Sequence, residues 1–218
     1  MRKIRATTFI SLDGVMQAPG GPEEDLTTGF RYGGWTVPYW DDVLSQAMGE
    51  SFAEPFELLL GRRTYDIFAA HWPRIPTEPG ADGYDAGDAE IARTFNSVAK
   101  HVATRDPATL TWSNSRWLGA DVPAALRELR RTAGPDLLVQ GSSVLLQALL
   151  EHDLLDELTL LVYPVTLGKG KRLFGEGTRP ASFAMTASTI SPSGVVVATY
   201  ARAGEVRTGS FALPDATA

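Results

Sequence analysis

Leu137-Leu138-Val139-Gln140-Gly141-Ser142-Ser143-Val144 carries a strand directly into a helix. Three aliphatic residues form a short buried run, a glycine interrupts it, and two hydroxyl residues open the helix Val144 to Leu150. A second junction of the same design lies upstream, at Leu59-Leu60-Gly61-Arg62-Arg63-Thr64, where the apolar strand Glu57 to Leu60 gives way to a helix from Thr64 to His71. A strand that passes through glycine into a helix is the building unit of a parallel α/β sheet.

Working outward, the same alternation fills the chain. Lys3 to Ile10 reads as a first strand ended by Asp13-Gly14, and Asp41 to Phe52 as a helix. Asp88 reads as the N-cap of a helix to Asn96, and His101 to Thr104 as a short strand. Asp121 caps a helix to Arg131 that Gly134-Pro135 ends, and Leu158 to Val165 is a strand too apolar to have an open face. Phe183 to Ile190 and Val195 to Ala201 form a β-hairpin about Ser193-Gly194. The expected fold is therefore α/β: a mostly parallel central sheet flanked by helices, with a C-terminal antiparallel hairpin. Residues 1–203 read as one domain with a loop insertion at about 73–87, and 204–218 as a C-terminal tail. A loop of that length is a lid or a disordered insertion.

Composition removes several classes of function. The 218 residues hold no cysteine, so disulfides, thiolate metal sites and thiol catalysis are excluded. Three histidines do not suggest a metal site, and none has an acid or serine at useful local spacing. Lys plus Arg is 20 and Asp plus Glu is 26, a net charge of −6. General nucleic-acid binding needs clustered basic residues, so it is not expected. No apolar run is long enough to span a bilayer. A soluble, cytoplasmic protein with a small-molecule ligand is the expectation.

In an open parallel sheet, ligands bind where the strands end. At Gly61-Arg62-Arg63-Thr64 a phosphate can approach the glycine backbone, meet helix N–H groups and engage two guanidinium groups; the alternative is a loop with solvated arginines. At Gly141-Ser142-Ser143 the choice is between a pyrophosphate cradle and an ordinary N-cap. Thr104-Arg105 ends another strand and offers a hydroxyl and a cation. Gly168-Lys169-Gly170-Lys171-Arg172 is a phosphate turn or a solvated loop. Trp35, Tyr39, Trp40, Asp41 and Asp42 concentrate aromatic rings and acids, suited to stacking a flat heterocycle or to capping a helix. Neither G-x-G-x-x-G nor a Walker motif occurs, and Asp82, Asp85 and Asp88 lack calcium-loop spacing.

Taken in order, four stretches resemble the dihydrofolate reductase-like superfamily and, more closely, stand-alone members of the RibD C-terminal domain family of riboflavin-biosynthesis reductases. They are Thr8 to Val15 with its Ser11-Leu12-Asp13-Gly14 turn, Leu60 to Tyr65, Leu138 to Ser143, and Asp156 to Val165 followed by Leu167-Gly168 and Leu173-Phe174. The resemblance implies a reductase that moves hydride from NADPH to a C=N bond of a small heterocycle or imine, similar to 5-amino-6-(5-phosphoribosylamino)uracil reductase. It implies that Gly61, Arg62 and Thr64 hold cofactor phosphates, with Arg62 near the 2′-phosphate, and Arg63 joins them as the second guanidinium of that junction. Thr104 and Arg105 would lie at the adenosine end and Gly141, Ser142 and Ser143 at the pyrophosphate. Ser11, Asp13 and Gly14 would border the nicotinamide and substrate, with Trp35 and Trp40 as further substrate contacts. Asp13 and Asp41 are the candidate catalytic acids, and a homodimer is implied. Two departures stand out. Gln-Gly-Ser-Ser replaces the Gly-Gly of folate reductases, and Trp35 to Asp41 is one residue longer than their Trp-x-x-Pro-x-Asp, so Asp42 also qualifies as the acid. No His/Cys zinc motif of a fused deaminase is present. A dihydrofolate reductase proper, and a non-catalytic nucleotide or small-molecule binder on the same fold, remain the alternatives.

Overall fold

The computed structural model describes residues 1–176 and 178–211. The expected tail is thus described only to residue 211, and positions 212–218 lie outside the described residues.

The chain forms β1 (Ile4–Ser11), α1 (Asp42–Ser51), β2 (Phe56–Gly61), α2 (Arg62–His71), α3 (Ala86–Ser97), β3 (Lys100–Ala103), β4 (Ser115–Trp117), α4 (Val122–Arg131), β5 (Asp136–Gln140), α5 (Ser143–Glu151), β6 (Glu157–Tyr163), β7 (Phe183–Ile190) and β8 (Val196–Arg202). They make one eight-stranded sheet in the order β4-β3-β2-β5-β1-β6-β8-β7. The first six strands in that order run parallel, and β8 and β7 complete it antiparallel, as expected for the hairpin.

Side-chain alternation sorts the strands onto two faces. On one, Ile4, Ala6, Leu59, Leu137, Val139, Leu158 and Leu160 pack against Leu126 of α4 and the leucines of α5. On the other, Leu58, Leu60, Leu138 and Val102 meet Tyr65 of α2 and Phe95 of α3. Leu161, Tyr163 and Val197 meet Leu44 of α1 and the loop residues Val15, Phe30 and Trp35. Burial on both faces explains why β5 and β6 read as continuous apolar runs rather than alternating ones.

Some expected boundaries move. Asp85, not Asp88, caps α3: its carboxylate accepts from Asp88 N–H at 2.9 Å, which places Asp88 inside the first turn. Helix α2 starts two residues early, at Arg62, because Gly61 takes the N-cap position. Strand β4 was not expected; its three residues lie at the sheet edge with two of them exposed, so no apolar periodicity marks it. The insertion is shorter than 73–87, since Trp72–Arg74 forms a 3₁₀ turn and α3 begins at residue 86. Strands β2 and β3 are parallel, so α2 returns the chain to the amino ends of the strands before the loop begins. Arg93 pins the loop there by donating to the carbonyl of Thr77. Residues 12–40 cross the carboxyl ends, where Arg63 at the start of α2 reaches Glu24.

Candidate functional site

Four neighbouring strands, β3, β2, β5 and β1, bring their carboxyl ends to one rim of the sheet. The three intervals between them span roughly 14 Å at normal strand spacing. The rim carries Thr104-Arg105, Gly61 to Thr64, Gly141 to Ser143 and Ser11 to Gly14 in that order, so the structure brings together most of the residues expected to form a site.

The two glycine junctions are locked to each other by Ser142. Gly141 and Ser142 both adopt left-handed backbone, with φ of 70° and 71°. That costs a non-glycine residue about 1 kcal/mol or more and needs compensation. The compensation is local: Ser142 Oγ accepts from Gly61 N–H at 2.9 Å and donates to Thr64 Oγ1 at 2.7 Å. A Cβ added at Gly61 would sit 3.1 Å from Ser142 Cβ and Oγ, so Ser142 would have to shift by a few tenths of an ångström to admit it. With its hydroxyl spent on the neighbouring turn, Ser142 does not cap its own helix, and α2 likewise starts at Gly61 without a side-chain cap. Two helix N-termini on adjacent strands therefore keep N–H groups and positive dipole ends for an anion.

The cations around this rim differ in availability. Arg62 grips Asp66 with Nε at 3.0 Å and Nη2 at 2.5 Å, and its Nη1 donates to Thr109 Oγ1 at 2.5 Å. Asp66 raises the already high pKa of the guanidinium. Arg63 turns away from the junction and donates to the Glu24 carbonyl at 2.9 Å. Thr104 Oγ1 accepts from Asp106 N–H at 3.1 Å. Arg105 is exposed and makes no ion pair among the described residues.

The two acids proposed for catalysis act as braces. Asp13 accepts from Ser11 Oγ at 2.6 Å, from Leu167 N–H at 3.0 Å and from Gly168 N–H at 2.8 Å. Arg172 stands 3.3 Å from the same carboxylate. The Ser11 hydroxyl leads this set of donors and, with the backbone bonds, holds the Asp13 pKa down at about 2 against the effect of burial. Asp13 is thus a permanent anion tying the first turn to the loop after β6, not a proton donor near neutrality. Ser11 is fully buried and its hydroxyl also receives Val15 N–H at 2.9 Å, so it serves this turn and not a substrate. Gly14 has φ of 78°, which the turn requires. Asp41 accepts from Leu44 N–H at 3.1 Å as the cap of α1, and from Ser193 N–H at 3.2 Å in the hairpin turn. Burial acts to raise its pKa, and the bonds from Leu44 and Ser193 more than offset that. Asp42 is exposed in the first turn of α1.

The aromatic pair divides. Trp35 belongs to the core: its indole N–H donates to the Gln17 carbonyl at 2.8 Å and its ring meets Tyr163 edge-on at 5.2 Å. Trp40 is 45% exposed, meets Phe9 in a T-shaped pair at 6.0 Å and donates its indole N–H to Ser45 Oγ at 3.0 Å.

Three features of this end were not anticipated. Tyr163, at the end of β6, is fully buried among Phe9, Trp35 and Tyr39, and its hydroxyl has no hydrogen-bond partner. Leu12, Val144 and Phe174 are exposed at the ends of β1, the start of α5 and the loop after β6. Lastly, the buried Gln17 and Asp25 of the 12–40 loop form a polar knot with the half-buried Lys171 of the loop after β6. Leu12 lies just before Gly14, Val144 just after the Gly141 turn and Phe174 just before Gly175; the knot has no local signal.

A mostly parallel sheet closed by an antiparallel hairpin, with two glycine junctions opposed at its rim, defines an α/β protein of the dihydrofolate reductase-like fold. The chain belongs to the RibD C-terminal domain family, whose pattern matches residues 2–197, a family of NADPH-dependent reductases. Among curated proteins it is similar to the uncharacterized protein YyaP of Bacillus subtilis (strain 168), with 24% identity over 143 residues, 66% of this chain and 72% of that one. Among solved structures it is similar to a putative riboflavin biosynthesis protein from Shewanella sp. PV-4, with a TM-score of 0.58 and 20% identity, covering 93% of this chain and 99% of the other. Dihydrofolate reductase from Enterococcus faecalis, solved with NADP(H), gives a TM-score of 0.54 at 15% identity, covering 92% of this chain and 96% of the other. No helix among the described residues is long and apolar enough to cross a membrane.

Proposed function

We propose that the protein is an NADPH-dependent reductase that delivers hydride to a C=N bond of a small heterocycle or imine, chemistry similar to 5-amino-6-(5-phosphoribosylamino)uracil reductase. The observation that carries this reading is the Ser142 lock, which holds two uncapped helix N-termini side by side at the rim. Such a pair suits the pyrophosphate of a dinucleotide, and the unpaired Arg105 suits a further phosphate at one end. When bound, NADPH supplies the hydride. Gly61, Thr64, Gly141, Ser142 and Ser143 hold its phosphates, while Arg105, Thr104 and the more encumbered Arg62 serve the adenosine end. Gly14 and the exposed Leu12, Phe174 and Trp40 border the ring that reacts. The work of these residues is alignment of two rings at close range, which by itself accounts for a large part of such a rate enhancement. Because Asp41 is committed as a helix cap, a pterin-anchoring carboxylate is not free at that position, and we rank a folate reductase second. Isothermal titration tests the reading: NADPH should bind more tightly than NADH, and Arg105→Ala should erase most of the difference. Equal affinity for both cofactors in the unaltered protein defeats it.

We further propose a cytoplasmic homodimer built on the β7 edge. Phe183–Ile190 contains no charged residue, and seven of its eight residues are exposed, Met185 and Ile190 among them. A long uncharged edge strand without a partner is an aggregation hazard that a second copy removes. Light scattering should give twice the chain mass, and Thr186→Lys should shift it toward monomer.

A further inference from the structure

Arg62 and Arg63 are adjacent in sequence, yet α-helical geometry sends neighbouring side chains roughly 100° apart. Arg62 stays on the α2 flank with Asp66. Arg63 crosses to the loop that covers the strand ends: its Nη2 donates to Glu24 O at 2.9 Å and stands 3.7 Å from Asp25 Oδ1.

The segment it reaches is a single knitted body. Asp25, with only 8% of its side chain exposed, holds Lys171 Nζ at 2.5 Å through Oδ2 and receives Thr27 N–H at 3.1 Å and Thr27 Oγ1 at 2.6 Å through Oδ1. Gln17 donates to Asp25 O at 3.0 Å and Thr27 O at 2.9 Å, and accepts from Lys171 N–H at 2.9 Å. The Glu24 carboxylate accepts from Gly20 and Gly21 N–H at 2.6 and 3.2 Å. Met16 N–H reaches Lys171 O at 2.9 Å, and Thr36 Oγ1 reaches Pro19 O at 2.7 Å. Residues 15–36 and 168–172 thus hold each other. Among the described residues, the one hydrogen-bonded or ion-paired link from this body to α2 is Arg63.

We propose that Arg63 is a positioning residue: it holds no cofactor phosphate but fastens the 15–36 cover to the first turn of α2, so that the phosphate junction and the cover over the reacting ring are set by one helix terminus. The proposal rests on the dinucleotide reading above. It corrects the expectation, drawn from the run Gly-Arg-Arg-Thr, that both arginines face phosphate. It also assigns Asp25, buried and already neutralised by Lys171, as the receiver of the second cation.

Two ligands separate fastening from phosphate contact. Adenosine 2′,5′-bisphosphate carries the adenosine end without the nicotinamide, whereas NADPH carries both. In the full chain, Arg63→Ala should weaken NADPH roughly five- to tenfold, the scale of one half-exposed charged contact, while adenosine 2′,5′-bisphosphate changes by less than about twofold on the same scale. Arg63 is more than half exposed, so this variant folds. A second measurement needs no cofactor. Trypsin cleavage after Arg31, inside the cover, should be several-fold faster in Arg63→Ala than in the unaltered protein, and Arg63→Lys should recover part of the protection. Equal loss of both nucleotides makes Arg63 a phosphate ligand and overturns the proposal. Unchanged NADPH affinity with unchanged cleavage also overturns it. If the unaltered protein binds neither nucleotide, the dinucleotide reading falls, and the cleavage rate still decides whether Arg63 fastens the cover.

Discussion

The two ends of the sheet carry similar charged residues and use them in opposite ways. At the amino ends of the strands, Arg2, Glu57 and His101 form a buried group: Arg2 Nη2 and His101 Nε2 meet the same Glu57 oxygen at 2.5 and 2.7 Å. Lys100, also fully buried, donates to Asn96 O at 2.9 Å and sits 4.4 Å above the Trp112 ring. These groups are desolvated and turned inward. At the carboxyl ends, Arg105 makes no ion pair among the described residues, and two helix N-termini lack side-chain caps. A charged cluster marks a site when its hydrogen-bonding capacity is left over, not when it is merely buried.

Substitutions at both ends break or sharpen that contrast. Glu57→Ala should have the largest effect, a loss of about 3–5 kcal/mol in chemical denaturation, because it strands a buried guanidinium. The folded fraction should still bind NADPH normally, since the amino end takes no part in binding; a large affinity loss would erase the distinction between the ends. Gly61→Ala comes next, at about 1–3 kcal/mol for overpacking against Ser142, with NADPH binding abolished. Combining it with Ser142→Gly removes the atoms that clash, so the double variant should cost less than the sum of the two single changes.

Lys100 gives a pH-dependent test. Burial lowers its pKa to about 8. The unfolded chain, with an ordinary lysine near 10.5, therefore holds more protons between pH 8 and 10, and stability rises with pH across that window. The gain is about 2 kcal/mol by linkage, and it should vanish in Lys100→Met, which is expected to be the more stable protein at pH 7. The smallest effect concerns the open end. Arg105→Ala should weaken NADPH about tenfold, or 1.4 kcal/mol, with NADH little changed. Arg62→Ala should do less, because a phosphate reaching Arg62 must first displace Asp66. Binding titrations with both cofactors would show the reverse ranking if Arg62 is the principal ligand.

The glycine junctions were legible because each is written in a few consecutive residues: an apolar run, a glycine and a helix start. The cap at Asp41 is equally local. What could not be read depends on partners remote in the chain. Asp13 looks like a free acid in Ser-Leu-Asp-Gly, yet its oxygens are taken by Leu167 and Gly168, 154 and 155 positions away. His101 has no neighbouring acid in sequence, but Glu57 lies 44 positions back on the adjacent strand. Arg62 and Arg63 are indistinguishable as letters and separate only when the helix turns them apart. Strand β4 escaped notice for a different reason: a three-residue exposed edge buries too little to leave a pattern.

The strand order also determines how the chain must be made. Strand β1 is synthesised first but lies in the interior of the sheet, between β5 and β6, which begin at residues 136 and 157. At a translation rate of roughly 5–20 residues per second, Ile4 to Ser11 waits about 6–25 s for its first neighbour. During that interval Ile4 to Ser11 has neither of the two strands that flank it in the sheet. Non-local parallel pairing of this kind is slow to form, so production of this protein should respond strongly to temperature and to chaperone supply, well before any property of the finished site comes into play.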